Sequence, residues 1–393
     1  MKILFIAPGD SLHTSRWIER VKARGIDCIY YDMTSEDMMH PLGLSSVYRL
    51  RADSIGNSAE ALLRKFGPIG KILESILLTF AHYREIRSIV AREKPDLIHL
   101  HWLFHASALA TSFIKGVPII STPWGSDLLT PEYKVTPKQL DKFKHKYVVG
   151  RVIKHSEAFC CDAQHMKELL ISFGAKSSAI QIIYFGTDVN LFSPANKNPA
   201  FWEKFGLKRE PVKIISNRVL ADMYDIETFI RASVIVHDSI SNVDFLIAGG
   251  GPKSDALKEY ANIYGTKKGI TFTGRLNDEE FAIATSSCDI YVSTSPTDGG
   301  IAASVAEAMS ASVPVVITDF GDNAYWLKNQ TAGFIFQIGD EKELANQLIK
   351  LVENESMRIQ MGEKGRDVIL KENNSIIEVD KIIKLYSLVS QAK

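Results

Sequence analysis

Residues 290–326 read IYVSTSPTDGGIAASVAEAMSASVPVVITDFGDNAYW. An apolar, β-branched run at Ile290–Ser293 meets a loop of Ser, Thr, Pro and Asp that ends in Gly299-Gly300. Small residues over Ala302–Ser310 predict a helix, and Val313–Thr318 a second buried strand. The unit is strand, loop, helix, strand, with glycines where the loop turns into the helix. Such a junction presents free backbone N–H groups and the positive end of the helix dipole, so it suits a phosphate. Glu307 falls about one and a half turns into the helix, close enough to accept hydrogen bonds from a ribose beside the phosphates. Asp298 lies on the loop before it.

The alternation extends outward from this stretch in both directions. Apolar β-rich runs separated by helical patterns recur from Ile3–Ala7 to Ile180–Tyr184, and again from Val212–Ser216 to Val315–Thr318. Strands alternating with helices predict parallel sheets covered on both faces. Between Phe185 and Pro211 the chain turns to Gly, Asp, Asn and Pro, which reads as a linker. The expected organisation is α/β, with two doubly wound, Rossmann-like domains, residues 1–190 and 205–373, whose parallel sheets face a cleft. Residues 374–393 read as a C-terminal helix.

Composition bounds the function. The chain has 393 residues, enough for two domains, with 46% hydrophobic and 23% charged residues, as in ordinary soluble proteins. Its net charge of zero argues against a general nucleic-acid binder. Residues 1–190 hold 24 Lys and Arg against 19 Asp and Glu, so the N-terminal half is the more basic. Cys28, Cys160, Cys161 and Cys288 show no metal or redox spacing and read as reduced cytoplasmic thiols. The opening MKILFIAPG is a strand and a turn, too short for a signal peptide, and no apolar run is long enough for a membrane span.

The donor-loop stretch resembles the retaining GT-B glycosyltransferases of family 4, whose signature is an acid, seven residues, then Glu in an Glu-Ala-Met context. Glu307-Ala308-Met309 matches it, followed by Pro314-Val315-Val316. Eight residues, not seven, separate Asp298 from Glu307, so the strict register falls on Gly299. The resemblance covers nearly the whole chain. Ser216-Asn217-Arg218 ends a strand, and Arg218 matches the family's diphosphate-binding arginine; an arginine there can bind a diphosphate bidentately. The lysine that follows five residues later in the family is Met223 here. Gly249-Gly250-Gly251-Pro252 matches the family's G-x-G-P loop, and Gly274-Arg275-Leu276 its base-recognition segment. By resemblance, Gly250, Gly251, Arg275, Leu276, Gly299, Gly300, Ile301, Ala302 and Glu307 bind the donor, together with Arg218. A Gly run alone is equally a tight strand-to-helix turn.

In the N-terminal half, Pro8-Gly9-Asp10-Ser11 follows the first strand, where the family lets donor phosphates or acceptor approach backbone amides. Arg16, in His-Thr-Ser-Arg-Trp, could replace the missing lysine, or lie on a helix surface. His99 and His101 lie on one face of a strand and read as a cleft-edge pair rather than a metal site, with no third ligand apparent. Within Thr122-Pro123-Trp124-Gly125-Ser126-Asp127, Trp124 stands where many family members have a catalytic-site histidine. An indole relays no proton, but stacks on a sugar face and donates one N–H. Asp127 is then either a contact to the transferred sugar or acceptor, or the N-cap of the next helix.

The resemblance implies a retaining transferase that moves a sugar from a nucleotide-sugar, a UDP-sugar, to a glycan or lipid-linked acceptor. It implies catalytic roles for Arg218, Asp127 and Asp298, acceptor or sugar contacts by Arg16, His101, Trp124 and Asp127, and neither cofactor nor metal. Basic, amphipathic patterns over Ala61–Lys94 and residues 131–155 suit weak association with an anionic membrane, at the inner face of which a cytoplasmic enzyme would work; a solvated helix face gives the same pattern. Two other classes fit the same residues: a sugar-nucleotide epimerase of the same fold, and a non-catalytic nucleotide-sugar binder.

Overall fold

The computed structural model describes residues 1–9, 12–34, 44, 46–50, 67–125, 127–128, 139–264, 269–297 and 300–391. The chain divides into two compact units, Met1–Phe185 with Val379–Lys393, and Gly186–Glu378.

The first unit is built on seven strands: β1 (Lys2–Ala7), β2 (Asp27–Asp32), β3 (Ser46–Arg49), β4 (Leu97–His101), β5 (Ile119–Thr122), β6 (Ala158–Cys161) and β7 (Ile180–Ile182). All pair in parallel, in the order β3-β2-β1-β4-β5-β6-β7. Helices α1 (Leu12–Lys22), α2 (Gly67–Glu93), α3 (Ala106–Thr111), α4 (Gln139–Lys154) and α5 (Gln164–Ser172) fall between them. Two buried clusters line the two faces of the sheet, one led by Leu4, Ile6, Ile98 and Leu100, the other by Ile3, Phe5, Leu97 and Ile120. Burial on both faces is why β1 reads as a continuous apolar run after Lys2, and why β4 is apolar but for the two histidines it buries. Edge strand β3 alternates between half-buried and exposed residues and carries no such run.

The second unit holds six parallel strands in the order β10-β9-β8-β11-β12-β13: β8 (Val212–Ser216), β9 (Val243–Ala248), β10 (Thr271–Gly274), β11 (Ile290–Ser293), β12 (Val315–Thr318) and β13 (Gly333–Phe336). Its helices are α6 (Ile226–Ser239), α7 (Ser254–Tyr264), α8 (Asp278–Ser287), α9 (Ala303–Ser310), α10 (Asn323–Trp326), α11 (Glu341–Glu353) and α12 (Glu355–Glu372). Strand β13, absent from the sequence reading, is a four-residue run opened by Gly333, where a Cβ would collide with the Val315 carbonyl. The start of α8 is fixed by a capping box between Asn277 and Glu280.

The stretch predicted as a linker is folded onto the second unit. Trp202 is fully buried and its indole N–H donates to the Ser287 carbonyl at 3.1 Å, while the Asn198 amide donates to the Ser287 hydroxyl at 2.8 Å. Thr187 donates its amide to the Asn373 carbonyl at 2.7 Å and accepts from the Ser375 amide at 2.9 Å. Its Gly and Pro content therefore marks short turns rather than a loose tether. The last helix, α13 (Ser375–Gln391), is shared: its first residues belong with the second unit, and Val379, Ile382, Leu385 and Tyr386 complete the core of the first.

In each sheet the sequence order reverses once, between β1 and β4 and between β8 and β11. At such a switch point the loops beyond the strand C-termini diverge to opposite faces and leave a crevice. Arg218 follows β8, and the Gly300 loop follows β11.

Candidate active site

Beyond β8, Arg218 is held from two sides. Its guanidinium lies over the Tyr224 ring, 4.4 Å from the centroid, and its Nη1 donates to the Ser304 hydroxyl at 3.4 Å. Ser304 also accepts from the Tyr291 hydroxyl at 2.8 Å, so the buried strand β11 sets the position of the group that orients Arg218. Ser304 is in the first turn of α9, whose N-cap Ala302 provides no side-chain cap. The first-turn amides of α9 and the guanidinium therefore lie together. Glu307, three residues beyond Ser304 and hence on the same side of α9, is 6% exposed. Asp298 and Gly299 lie outside the described residues; Gly300 is buried, and Ile301 and Ala302 are half-buried.

The glycine run has a packing reason. A Cβ at Gly249 would meet the Arg218 carbonyl, and one at Gly251 the backbone of Leu220, while Gly250 faces open space. Leu220 donates its amide to the Gly250 carbonyl at 3.1 Å, and Lys253 to the Leu220 carbonyl at 2.9 Å. The two loops are thus clasped backbone to backbone, and the glycines support the Arg218 loop from behind. Gly249 also donates to the Gly274 carbonyl at 2.9 Å, which ties in the segment of exposed Arg275 and half-buried Leu276.

In the first unit several expectations change. The Gly9 amide is not open to a ligand: it donates to the Asp32 carboxylate at 2.9 Å, and a Cβ at Gly9 would collide with that carboxylate. Asp10 and Ser11 lie outside the described residues. His99 and His101 are not at a cleft edge but fully buried, their rings 4.3 Å apart. His99 is bracketed by the Tyr386 hydroxyl at 2.6 Å and the Thr122 hydroxyl at 2.7 Å, and the Trp17 indole donates to Tyr386 at 3.3 Å. Both histidines do share one face, as strand alternation requires. Arg16 is half-buried on α1. Among the described residues, no group of three or more His, Cys, Asp or Glu could hold a metal ion.

Trp124 keeps its half-exposed ring, but the indole N–H is already donated to His101 Nδ1 at 3.3 Å. Its neighbour is Trp102, 5.8 Å away and edge-on at 77°. Trp102, missed in the sequence, follows β4 in a left-handed conformation, φ 69°, that an aromatic residue rarely adopts. What holds it there is Asp127. That carboxylate is fully buried and accepts the amides of Leu103 at 2.6 Å and Trp124 at 2.9 Å, so both tryptophan loops hang from one side chain. Asp127 is accordingly a clamp between loops, its two carboxylate oxygens each taken up by a backbone amide. Burial pushes its carboxyl up to about 6, against the opposing pull of those amide hydrogen bonds.

Residues 13–191 match the model of glycosyltransferase family 4, and residues 198–368 that of glycosyl transferases group 1. The chain belongs to the group 1 glycosyltransferases. An uncharacterized glycosyltransferase of Methanocaldococcus jannaschii is 24% identical over 261 residues, 65% of this chain and 64% of that protein. The UDP-Gal:alpha-D-GlcNAc-diphosphoundecaprenol alpha-1,3-galactosyltransferase of Escherichia coli is 25% identical over 306 residues, 76% of each chain. The crystal structure of Anabaena HepE in complex with UDP superimposes with a TM-score of 0.74 at 18% identity, covering 98% of this chain and 100% of HepE. That likeness shows the fold, GT-B, with two Rossmann-like domains.

Two predictions follow from the first unit of this glycosyltransferase. Asp127→Asn places an amide NH2 against a backbone N–H, leaving a buried donor unpaired at a cost of about 1–3 kcal/mol. The variant should show a clearly lowered melting temperature; an unchanged one would show that the clamp carries no load. The buried His82, His99 and His101 and the half-buried His105 give a pH dependence. Burial drives His82 and His101 down to about 3 and His105 to about 4, and takes His99 well below its usual range. These groups protonate in the unfolded chain near pH 6.5, so their contribution is complete above that and is lost as pH falls, by up to about 1.4 kcal/mol per group per pH unit. Asp127 opposes them, since it takes up a proton on folding between about pH 4 and 6. The melting temperature should therefore climb from pH 4.5 to 6.5 (on the order of the histidine window), and His101→Gln should flatten that climb. Equal slopes in both proteins would refute it.

Proposed function

We propose that this chain transfers a sugar from a UDP-sugar to a hydroxyl of a glycan or lipid-linked acceptor, with retention of configuration and without a metal ion. The observation that carries the proposal is the setting of Arg218, fixed between the Tyr224 ring and Ser304 beside the uncapped first turn of α9. A guanidinium and a helix N-terminus converging on one spot are complementary to a departing diphosphate. The E. coli relative is named for a UDP-galactose donor and a diphosphoundecaprenol acceptor, and HepE was crystallised with UDP, which supports the donor class and a lipid-linked acceptor.

In this reading the bond between the anomeric carbon and the diphosphate oxygen breaks as positive charge develops on the sugar ring. Arg218 and the α9 amides stabilise the negative charge left on the diphosphate. The acceptor hydroxyl attacks from the same face and passes its proton to the departing phosphate oxygen, so no protein base is needed. Glu307 holds the ribose, the segment of Arg275 and Leu276 the base, and Asp298 with the Gly299–Ala302 backbone the sugar hydroxyls. The Trp102–Trp124 pair offers an aromatic surface to a sugar ring. Among the described residues no helix is long and apolar enough to cross a membrane. In this reading a lipid-linked acceptor is met at an anionic, cytoplasmic membrane face.

A second reading, a nucleotide-sugar binder without transfer, is favoured by Met223, an exposed apolar side chain where the family has a lysine. Thermal-shift titration with UDP-, GDP- and ADP-sugars followed by donor hydrolysis and product anomer analysis separates the two. Binding with neither hydrolysis nor transfer would make it a binder, and an epimerised sugar released without acceptor an isomerase.

Arg218→Ala should leave the melting temperature unchanged but weaken UDP binding by about 10–150-fold, the loss of a charge-assisted contact of about 1.5–3 kcal/mol, and abolish transfer. Undiminished turnover would place the diphosphate elsewhere. Tyr224→Phe should remain active, whereas Tyr224→Ala should slow turnover by about tenfold as the cation–π support is lost; equal rates for the two would remove the ring from the mechanism. Activity should persist in EDTA, and its complete loss with recovery on adding a divalent ion would overturn metal independence.

A further inference from the structure

Helix α2 behaves differently along its length. In its second half His82, Ile86 and Ile89 are buried against the first unit. In its first half a full apolar row faces outward. Ile69, Ile72, Leu73, Ile76, Leu77 and Phe80 recur at the spacing that places them along one side of a helix, and all are exposed: Ile69 by 66%, Ile76 by 58% and Phe80 by 57%. The same spacing continues the line through Arg84 and Arg87, both exposed. The apolar row covers about 16 Å of helix at 1.5 Å per residue. Single exposed apolar residues need no explanation, but a contiguous row of this size marks a docking surface.

Helix α4 adds charge to it. Phe143 and Tyr147 are 70% and 54% exposed, and Lys142, Lys144 and Lys146 are exposed among them, with Asp141 the acid at that end. Phe113 joins the two helices: its ring is 6.4 Å from Tyr83 of α2, and the Arg151 guanidinium of α4 lies over it at 3.8 Å. On α2 the acids Glu74, Glu85 and Glu93 are half-buried, whereas Lys71, Arg84, Arg87 and Arg92 are exposed.

We infer that this surface docks on an anionic lipid bilayer. The row from Ile69 to Phe80 enters the boundary of the acyl chains, while Arg84, Arg87 and the three α4 lysines meet the headgroup phosphates. This deepens the lipid-linked-acceptor reading above and rests on it for its purpose, although the surface itself is argued from exposure and charge. A second copy of the chain is the poorer occupant, because two-fold pairing of this face would bring one lysine row against another. The cations beside the row call for a negative partner, and the row itself is aliphatic but for Phe80, which suits acyl chains.

The test is flotation of the full chain with vesicles of phosphatidylcholine alone and of phosphatidylcholine mixed with phosphatidylglycerol. The wild type should float with the mixed vesicles and far less with the neutral ones. Ile72→Ser/Ile76→Ser/Phe80→Ser should lose at least about tenfold in partitioning, with the melting temperature and UDP binding unchanged. Lys142→Ala/Lys144→Ala/Lys146→Ala should lose the preference for phosphatidylglycerol. Equal flotation of the triple-serine variant and the wild type would overturn the proposal, as would failure of the wild type to float at low salt. A wild-type dimer in solution that the serine substitutions convert to monomer would overturn it in favour of a second copy. UDP binding measured on the same samples separates this result from the transferase reading: flotation without UDP binding removes that reading and leaves the membrane surface standing.

Discussion

A parallel strand covered on both faces can carry little chemistry along its length, so polar function collects beyond the C-terminal ends of the strands. Both sheets obey this constraint. In the second unit β11 is buried from end to end and β8 from Lys213 onward, and Arg218 appears two residues after β8 stops. The Gly300 loop and α9 come off the neighbouring strand, so the topology alone brings a cation and a helix N-terminus to one place. What the topology does not supply is orientation. That comes from side chains rooted in the buried layer: Tyr291 fixes Ser304, and Ser304 and Tyr224 fix the guanidinium. An arginine so held loses little freedom when it meets a ligand.

The first unit solves a different problem at its switch point. It buries polar groups and satisfies them against one another: Tyr386, His99 and Thr122 form a hydrogen-bonded line through the core, and Asp127 gathers the amides of two loops. The tryptophans beside it are therefore set by a polar framework beneath them. The left-handed Trp102 is tolerated because its flanking amides are bonded on both sides, its own to Thr122 at 3.1 Å and that of Leu103 to Asp127.

The sequence disclosed the architecture through burial: strands buried on both faces, such as β1 and β12, are mostly apolar, and such runs alternate with helices. Strand β3 escaped because an edge strand leaves half its residues exposed, and β13 because Gly-Phe-Ile-Phe is short and opens with a glycine. At the site, Arg218, Glu307 and the α9 start were legible because each stands at a fixed offset from a strand or helix end. The first-unit residues were misjudged for a common reason. Gly9, His101, Asp127 and the N–H (though not the ring face) of Trp124 are groups that a substrate could use, and sequence alone does not show that each is already engaged by another part of the chain. Asp32, 23 residues from Gly9 in sequence, takes its amide. Leu103, 24 residues from Asp127, takes its carboxylate. Trp102 left no local signal, since its strain arises from those same distant bonds.

Helix α13 has a bearing on how the chain comes into being. His99 and Tyr386 are 287 residues apart, and their bond lies inside the first unit's core. During synthesis the N-terminal residues emerge first, yet the groove beside β1 and β4 waits for the final segment of the protein to fill it. Throughout that interval Phe5, Trp17 and His99 lack the helix that covers them, and the second unit is complete before the first. The unit that is translated first is thus completed only after the second has been made, and until then part of its apolar core lies open to other chains.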